Sequence, residues 1–149
     1  MRPSSRLALA IASASVTNGA TATATPIDTS PPGGPRARHL SLDLALTTAD
    51  VVSNKPSVLK LQHSDDTVAS NFADISGFVG GTDFTIPNAD TANPNLYKFN
   101  VNLQGKKRYI RAQISPRTTQ TITGIANLSW NDQMPVTASK AGVLALIEG

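Results

Sequence analysis

Among residue types that do chemistry, the chain has two histidines, His39 and His63, and no cysteine. The histidines fall in separate extended segments, without the i, i+4 spacing that puts two ligands on one side of a zinc ion. Ser64 follows His63, but the G-x-S-x-G turn that raises a serine nucleophile out of its surroundings is missing. Asp65, Asp66 and Asp74 offer the oxygen ligands that calcium prefers, at a spacing that fits no calcium loop. Gly77, Gly80 and Gly81 do not follow a strand and open a helix, as a phosphate-cradling loop must. Trp130 lies on a strand face, where a large ring with one polar edge belongs to a core or an interface. These residues assemble no acid, base and nucleophile set. The expectation is a protein that is not an enzyme, with no cofactor and no metal.

The 149 residues carry a formal charge of +3, from 13 Lys and Arg against 10 Asp and Glu. Nucleic-acid binders cluster their cations more heavily. Here Arg36 and Arg38 form one small group, and Lys106, Lys107, Arg108 and Arg111 another. They read as a solvated tail and turn, so direct nucleic-acid contact is not expected. No run of 18 apolar residues is present, and no transmembrane helix is expected.

Alternation defines the elements that must position these groups. Tyr97, Phe99, Val101 and Leu103 alternate with Lys98, Asn100, Asn102 and Gln104; after Gly105-Lys106-Lys107, Ile110, Ala112 and Ile114 alternate with Tyr109, Arg111 and Gln113. A period of two puts large side chains on one face of a strand, and the stretch reads as a hairpin around a glycine turn. Tyr109 and Arg111 share a face, where a guanidinium can stack on a ring within an ordinary cross-strand scaffold. Leu40, Leu42, Leu44 and Leu46 predict another half-buried strand, and Val58–His63, Phe72–Phe78 and Thr118–Trp130 predict more. Ile125 interrupts the polar face of the last one, which predicts that this second face is covered nearby. Pro31-Pro32-Gly33-Gly34-Pro35 is the clearest breaker. Residues 1–35 therefore read as an N-terminal arm or first strand with its hinge, and residues 36–149 as the body. Arg2 and Arg6 ahead of Leu7–Ala12 have the order of a secretory leader, but the apolar run is short and diluted by serine. The predicted class is all-β: an antiparallel β-sandwich or jelly-roll with an extended N-terminal arm.

Two motifs point to a family: LKLQHSDD with FADI after it (Leu59–Asp66, Phe72–Ile75), and KKRYIRAQIS (Lys106–Ser115). Over about residues 40 to 130 the chain resembles the head decoration, or cement, proteins of tailed bacteriophages, of the jelly-roll or β-sandwich type. The resemblance implies a structural virion protein on the capsid exterior, commonly a homotrimer, that locks adjacent major capsid protein subunits together. The same motifs also resemble discoidin-like carbohydrate-binding sandwiches, which implies a carbohydrate- or receptor-binding module of a phage fibre or secreted protein. Against that, Ser64-Asp65-Asp66-Thr67 lacks the glycine of the discoidin turn, and the bracketing cysteines are absent. On the capsid reading, the contacts between subunits are expected in the arm and the apolar tail, at Leu7, Leu9, Ile11, Val16, Val143, Leu144, Leu146 and Ile147.

Overall fold

A computed structural model describes residues 5–46, 55–88, 96–130 and 145–149 of the chain. Its strands are β1 (Ser5–Val16), β2 (Ala22–Thr23), β3 (Ile27–Asp28), β4 (His39–Leu46), β5 (Val58–Ser64), β6 (Ala73–Val79), β7 (Leu96–Asn102), β8 (Tyr109–Ser115), β9 (Gln120–Ser129) and β10 (Ala145–Glu148). One 3₁₀ turn, Ala69–Asn71, stands between β5 and β6.

The strands form two sheets. The first has the order β1-β9-β4-β7-β10; the second has β2-β8-β5-β6, with β3 also on β8. The antiparallel partners are nested: β1 with β9, β2 and β3 with β8, β4 with β7, β5 with β6. That is the pairing of one long hairpin. Contacts of β9 with β4 and of β8 with β5 roll it into two layers. The result is a jelly-roll β-sandwich, extended by β10, which runs parallel to β7 at the far edge.

Alternation predicts the buried faces correctly. Leu40, Leu42 and Leu44 are fully buried, as are Phe99, Val101, Leu59, Leu61, Ile110, Ala112 and Ile114. Phe99 anchors the middle, with the rings of Phe78 and Phe84 each 6.2 Å from its own. Burial also pushes the Tyr97 phenol up to about 12.

The predicted hairpin at 97–115 does not form. β7 belongs to the first sheet and β8 to the second, so the turn at Gly105 is an arch between layers. Gly105 takes a φ of +73°, and the Lys106 amide closes onto the Leu103 carbonyl at 3.2 Å. Leu103, 1% exposed, plugs the arch. Periodicity reports which face of a strand is buried; two strands on facing layers show the same alternation as two strands in one layer.

The N-terminal segment resolves as a first strand rather than a free arm. β1 follows β9 from Ser5↔Ser129 to Val16↔Gln120, with register shifts between Leu9 and Ile11 and between Ile11 and Ala14. The first shift turns the consecutive residues Ala10 and Ile11 both inward, at 1% and 7% exposure. Further along, Ala24 and Ile27 also enter the core.

Deleting residues 1–30 removes one of the two antiparallel partners of β9 and five core side chains, Ala10, Ile11, Val16, Ala24 and Ile27. The truncated chain is expected to lose cooperative thermal unfolding, measured by circular dichroism. A sharp transition within a few degrees of the full chain would show that β1 is dispensable to the body.

Candidate interaction surface

The first sheet has one water-facing side. On β1 it carries Leu7 and Leu9, 71% and 61% exposed, and on β9 Ile125, 46% exposed. Leu9 sits directly opposite Ile125, and Leu7 opposite Asn127. Cross-strand partners lie within side-chain contact, so the three apolar groups form one patch at the β1 edge. Ile125 was not among the residues expected at an interface. Its interruption of the polar face was the available signal; no described element covers it.

The other expected interface residues divide. Ile11 and Val16 are core residues, at 7% and 8% exposure, because the register shifts of β1 turn these two side chains inward. Ile147 packs into the core opposite Phe99, also at 7%. Leu146 is half-buried opposite Lys98. Val143 and Leu144 lie outside the described residues. Inward from the patch the surface turns polar. Asp43, opposite Ile125, pairs with Lys98 at 2.9 Å.

The outer side of the second sheet is built differently. Arg111 points away from the core yet is only 8% exposed, because the segment between β5 and β6 folds over it. Its Nε donates to Gln62 Oε1 at 2.9 Å and its Nη2 to the Ala69 carbonyl at 3.2 Å. Its guanidinium stacks 4.0 Å from the centre of the Phe72 ring, so the stacking partner is Phe72 rather than Tyr109. Gln62 passes the chain of bonds on to Asp74, 2.7 Å away, and Asp74 also holds Lys60. The Lys60 hydrogen bond, followed by that from Gln62, keeps the Asp74 carboxyl below the usual carboxylate range against the opposing effect of burial. The turn after β5 closes on itself: Asp66 accepts from the Val68 amide at 2.9 Å and from Asn71 Nδ2 at 2.8 Å. The two sequence motifs thus meet as a clamp, and Arg111 is part of the scaffold.

His63 accepts the Lys107 amide on Nδ1 at 3.2 Å. Burial, then Lys107 and Lys106, hold its imidazole below the ordinary value of 6.5. Among the described residues, no three His, Asp or Glu side chains gather in a way that could hold a metal. A sugar site of the discoidin kind would bring the Ser64–Thr67 turn and the polar stretch 88–95 beside Trp130. The indole Nε1 of Trp130 is spent on the Pro35 carbonyl, 3.0 Å away. The Ser64–Thr67 turn lies where β5 ends. Pro87, just before the Asn88–Asn95 loop, sits at the start of β7, by the Tyr97 hydroxyl, at the opposite end of the sandwich. Of that loop, residues 89–95 are outside the described residues.

The class defined by this geometry is a jelly-roll β-sandwich with an apolar patch at one edge. No protein-family model, no curated protein and no solved structure matches the chain.

Two outcomes follow from the clamp and from His63. Arg111→Ala leaves Gln62 and the Ala69 carbonyl without their donor. It is expected to cost about 1–3 kcal/mol in chemical denaturation and to open residues 65–72 to proteolysis. His63 is neutral in both folded and unfolded chain well above pH 6.5. As pH falls below 6.5 the unfolded chain takes up a proton first, so stability declines until the folded imidazole also titrates. Melting temperature should therefore fall from pH 7.5 to 5.5, and His63→Gln, which retains an acceptor, should flatten that fall.

Proposed function

We propose that the chain is a structural virion protein that binds the outer surface of a phage capsid and bridges neighbouring major capsid protein subunits. The observation that carries this reading is the patch of Leu7, Leu9 and Ile125 on the outward side of the first sheet. Single exposed apolar residues are ordinary on any protein, but three side by side at a sheet edge, two on β1 and one on β9, have a cost in water that a partner surface removes. The resemblance of the β5–β6 and β8 motifs to decoration proteins gives the partner, and the jelly-roll body agrees with it; the same fold serves lectins and other proteins, so it does not choose among functions alone. The protein acts by mass action. A copy that binds the assembled shell and not its dissociated subunits stabilises the shell by RT ln(1 + [L]/Kd), without bond-making. As a homotrimer it would gain avidity when more than one copy engages at once.

The test is co-sedimentation with shells assembled from the major capsid protein of a tailed bacteriophage. The wild-type chain is expected to pellet with the shells and to raise their melting temperature. The Leu7→Asp/Leu9→Asp double variant should keep its own melting temperature, because neither side chain is in the core, and lose at least about ten-fold in shell affinity, since each leucine contributes about 1.5 kcal/mol or more when buried. Equal binding by the double variant would remove the patch from the interface, and no binding by the wild type would end the reading.

A further inference from the structure

The two basic groups of the sequence, 36–38 and 106–108, meet at one end of the sandwich, where β3 leads into β4 and β7 arches into β8. Arg36 donates Nε to Thr29 Oγ1 at 3.2 Å and Nη2 to the Lys107 carbonyl at 2.6 Å. Thr29 is fully buried and its hydroxyl in turn donates to the Arg108 carbonyl at 2.6 Å, so the guanidinium is held on a fixed support. Both acceptors are neutral. Its neighbours are treated otherwise: Arg108 forks onto the two oxygens of Asp28 at 2.9 Å each, and Lys107 reaches Asp65 at 3.5 Å. Among the described residues no carboxylate pairs with Arg36. None pairs with Lys106 either, whose ammonium lies 5.9 Å from the Phe78 ring.

Arg36 opens onto a groove of ≈ 460 Å³ whose walls are Arg36, Ala37, Arg38, His39, Asn102, Leu103 and Gln104. None of these residues is acidic. The Asn102 side-chain oxygen is occupied by the Gln104 amide at 3.0 Å, which leaves the Asn102 NH₂ as a donor. His39 Nδ1 is buried with no partner. Arg108 is neutralised by a carboxylate, and Arg111, also held by neutral acceptors, has its guanidinium covered by Phe72; Arg36 has neither a carboxylate nor an aromatic cover among the described residues. A half-buried guanidinium fixed by neutral groups, beside a concave wall in which no described side chain is acidic, keeps its charge available and has its orientation already set, and planar two-point recognition of an oxyanion uses both.

We propose that this groove binds a single oxyanion, the phosphate or carboxylate group of a small ligand, with the terminal Nη1–Nη2 edge of Arg36 as the fork, its Nε edge being fixed on Thr29 and Lys107, and the Asn102 and Gln104 amides as lateral donors. The site is separate from the leucine patch and stands whether or not the chain binds a capsid.

The test is an NMR titration of the full ¹⁵N-labelled chain with sodium phosphate and, separately, sodium acetate, at ionic strength held constant with sodium chloride. Saturable shifts are expected at the Arg36 side-chain Nε–H and at the backbone amides of Ala37, His39 and Gln104. Saturation by phosphate alone assigns a phosphate-bearing ligand, and saturation by acetate alone a carboxylate-bearing one. Arg36→Lys keeps the charge and removes the fork, so the midpoint should weaken about ten-fold. Gln104→Ala, on an exposed residue, should weaken it about three-fold and serves if Arg36→Lys lowers the melting temperature. Shifts linear in both anions, equal shifts around Lys55 and Arg117, two cations that line a different cleft beside Gly81 and Asp83, or an unchanged midpoint in Gln104→Ala would each mean an adventitious ion only and overturn the site.

Discussion

β4 is the strand on which the architecture depends. Its residues His39–Leu46 pair with β9 on one side throughout, and on the other side His39–Ala45 pair with β7. Leu40, Leu42 and Leu44 project from it into the interior without any exposure. A strand paired on both sides cannot shift register by one residue without sending all three leucines into water and three polar side chains inward. At about 1.5–3 kcal/mol for each buried leucine, such a slip would cost several kcal/mol, comparable with the whole stability of a domain. The register of β4 therefore fixes β7 and β9. β7 then sets where the arch delivers β8, and β9 sets where β1 lies.

The sequence discloses faces more readily than partners. Every residue of the alternating sets in β4, β5, β7 and β8 expected to face inward is buried, apart from the half-buried Leu46 at the last position of β4. Alternation is a local property, so it survives reading without a structure. The partner of β7 is not local. A glycine turn between two alternating segments has the composition of a hairpin whether the chain returns within a layer or crosses to the facing one. Likewise, the sequence placed Arg111 correctly on the outward face and offered Tyr109 as its ring. Phe72 takes that place because the β5–β6 connection folds across the sheet, a fact that no pattern within KKRYIRAQIS contains.

The charged groups follow the same logic. Arg36 and Lys107 stand 71 residues apart in the chain, yet one donates to the carbonyl of the other. Read in sequence, each basic group is small enough to be a solvated turn. The nested pairing of a jelly-roll brings the β3–β4 and β7–β8 connections to one end, and their charges add there. The depression of the His63 imidazole reflects this partly: burial is the larger cause, but Lys107, Lys106 and Arg36 all act in the same direction. Charge density on this fold belongs to its ends, where connections gather, and cannot be judged from the overall +3.

The edge strand β1 has two opposed features. Its bulges break the flat ladder that another strand would extend. The Ala10 carbonyl, next to the first bulge, is taken by the Thr25 amide at 2.8 Å, which is how a protein blunts an edge against indiscriminate pairing. Yet before the bulge, Leu7 and Leu9 face water beside Ile125. If avoidance of association were the only demand on β1, these positions would carry charge, as Asp43 and Lys98 do two and three strands further in on the same face. The backbone edge is guarded while the apolar face is left open. That combination favours docking of a surface through side chains over addition of a strand. It also explains why the patch stops at Ile125: beyond it lies the Asp43–Lys98 pair, a polar rim of the sort that bounds protein interfaces.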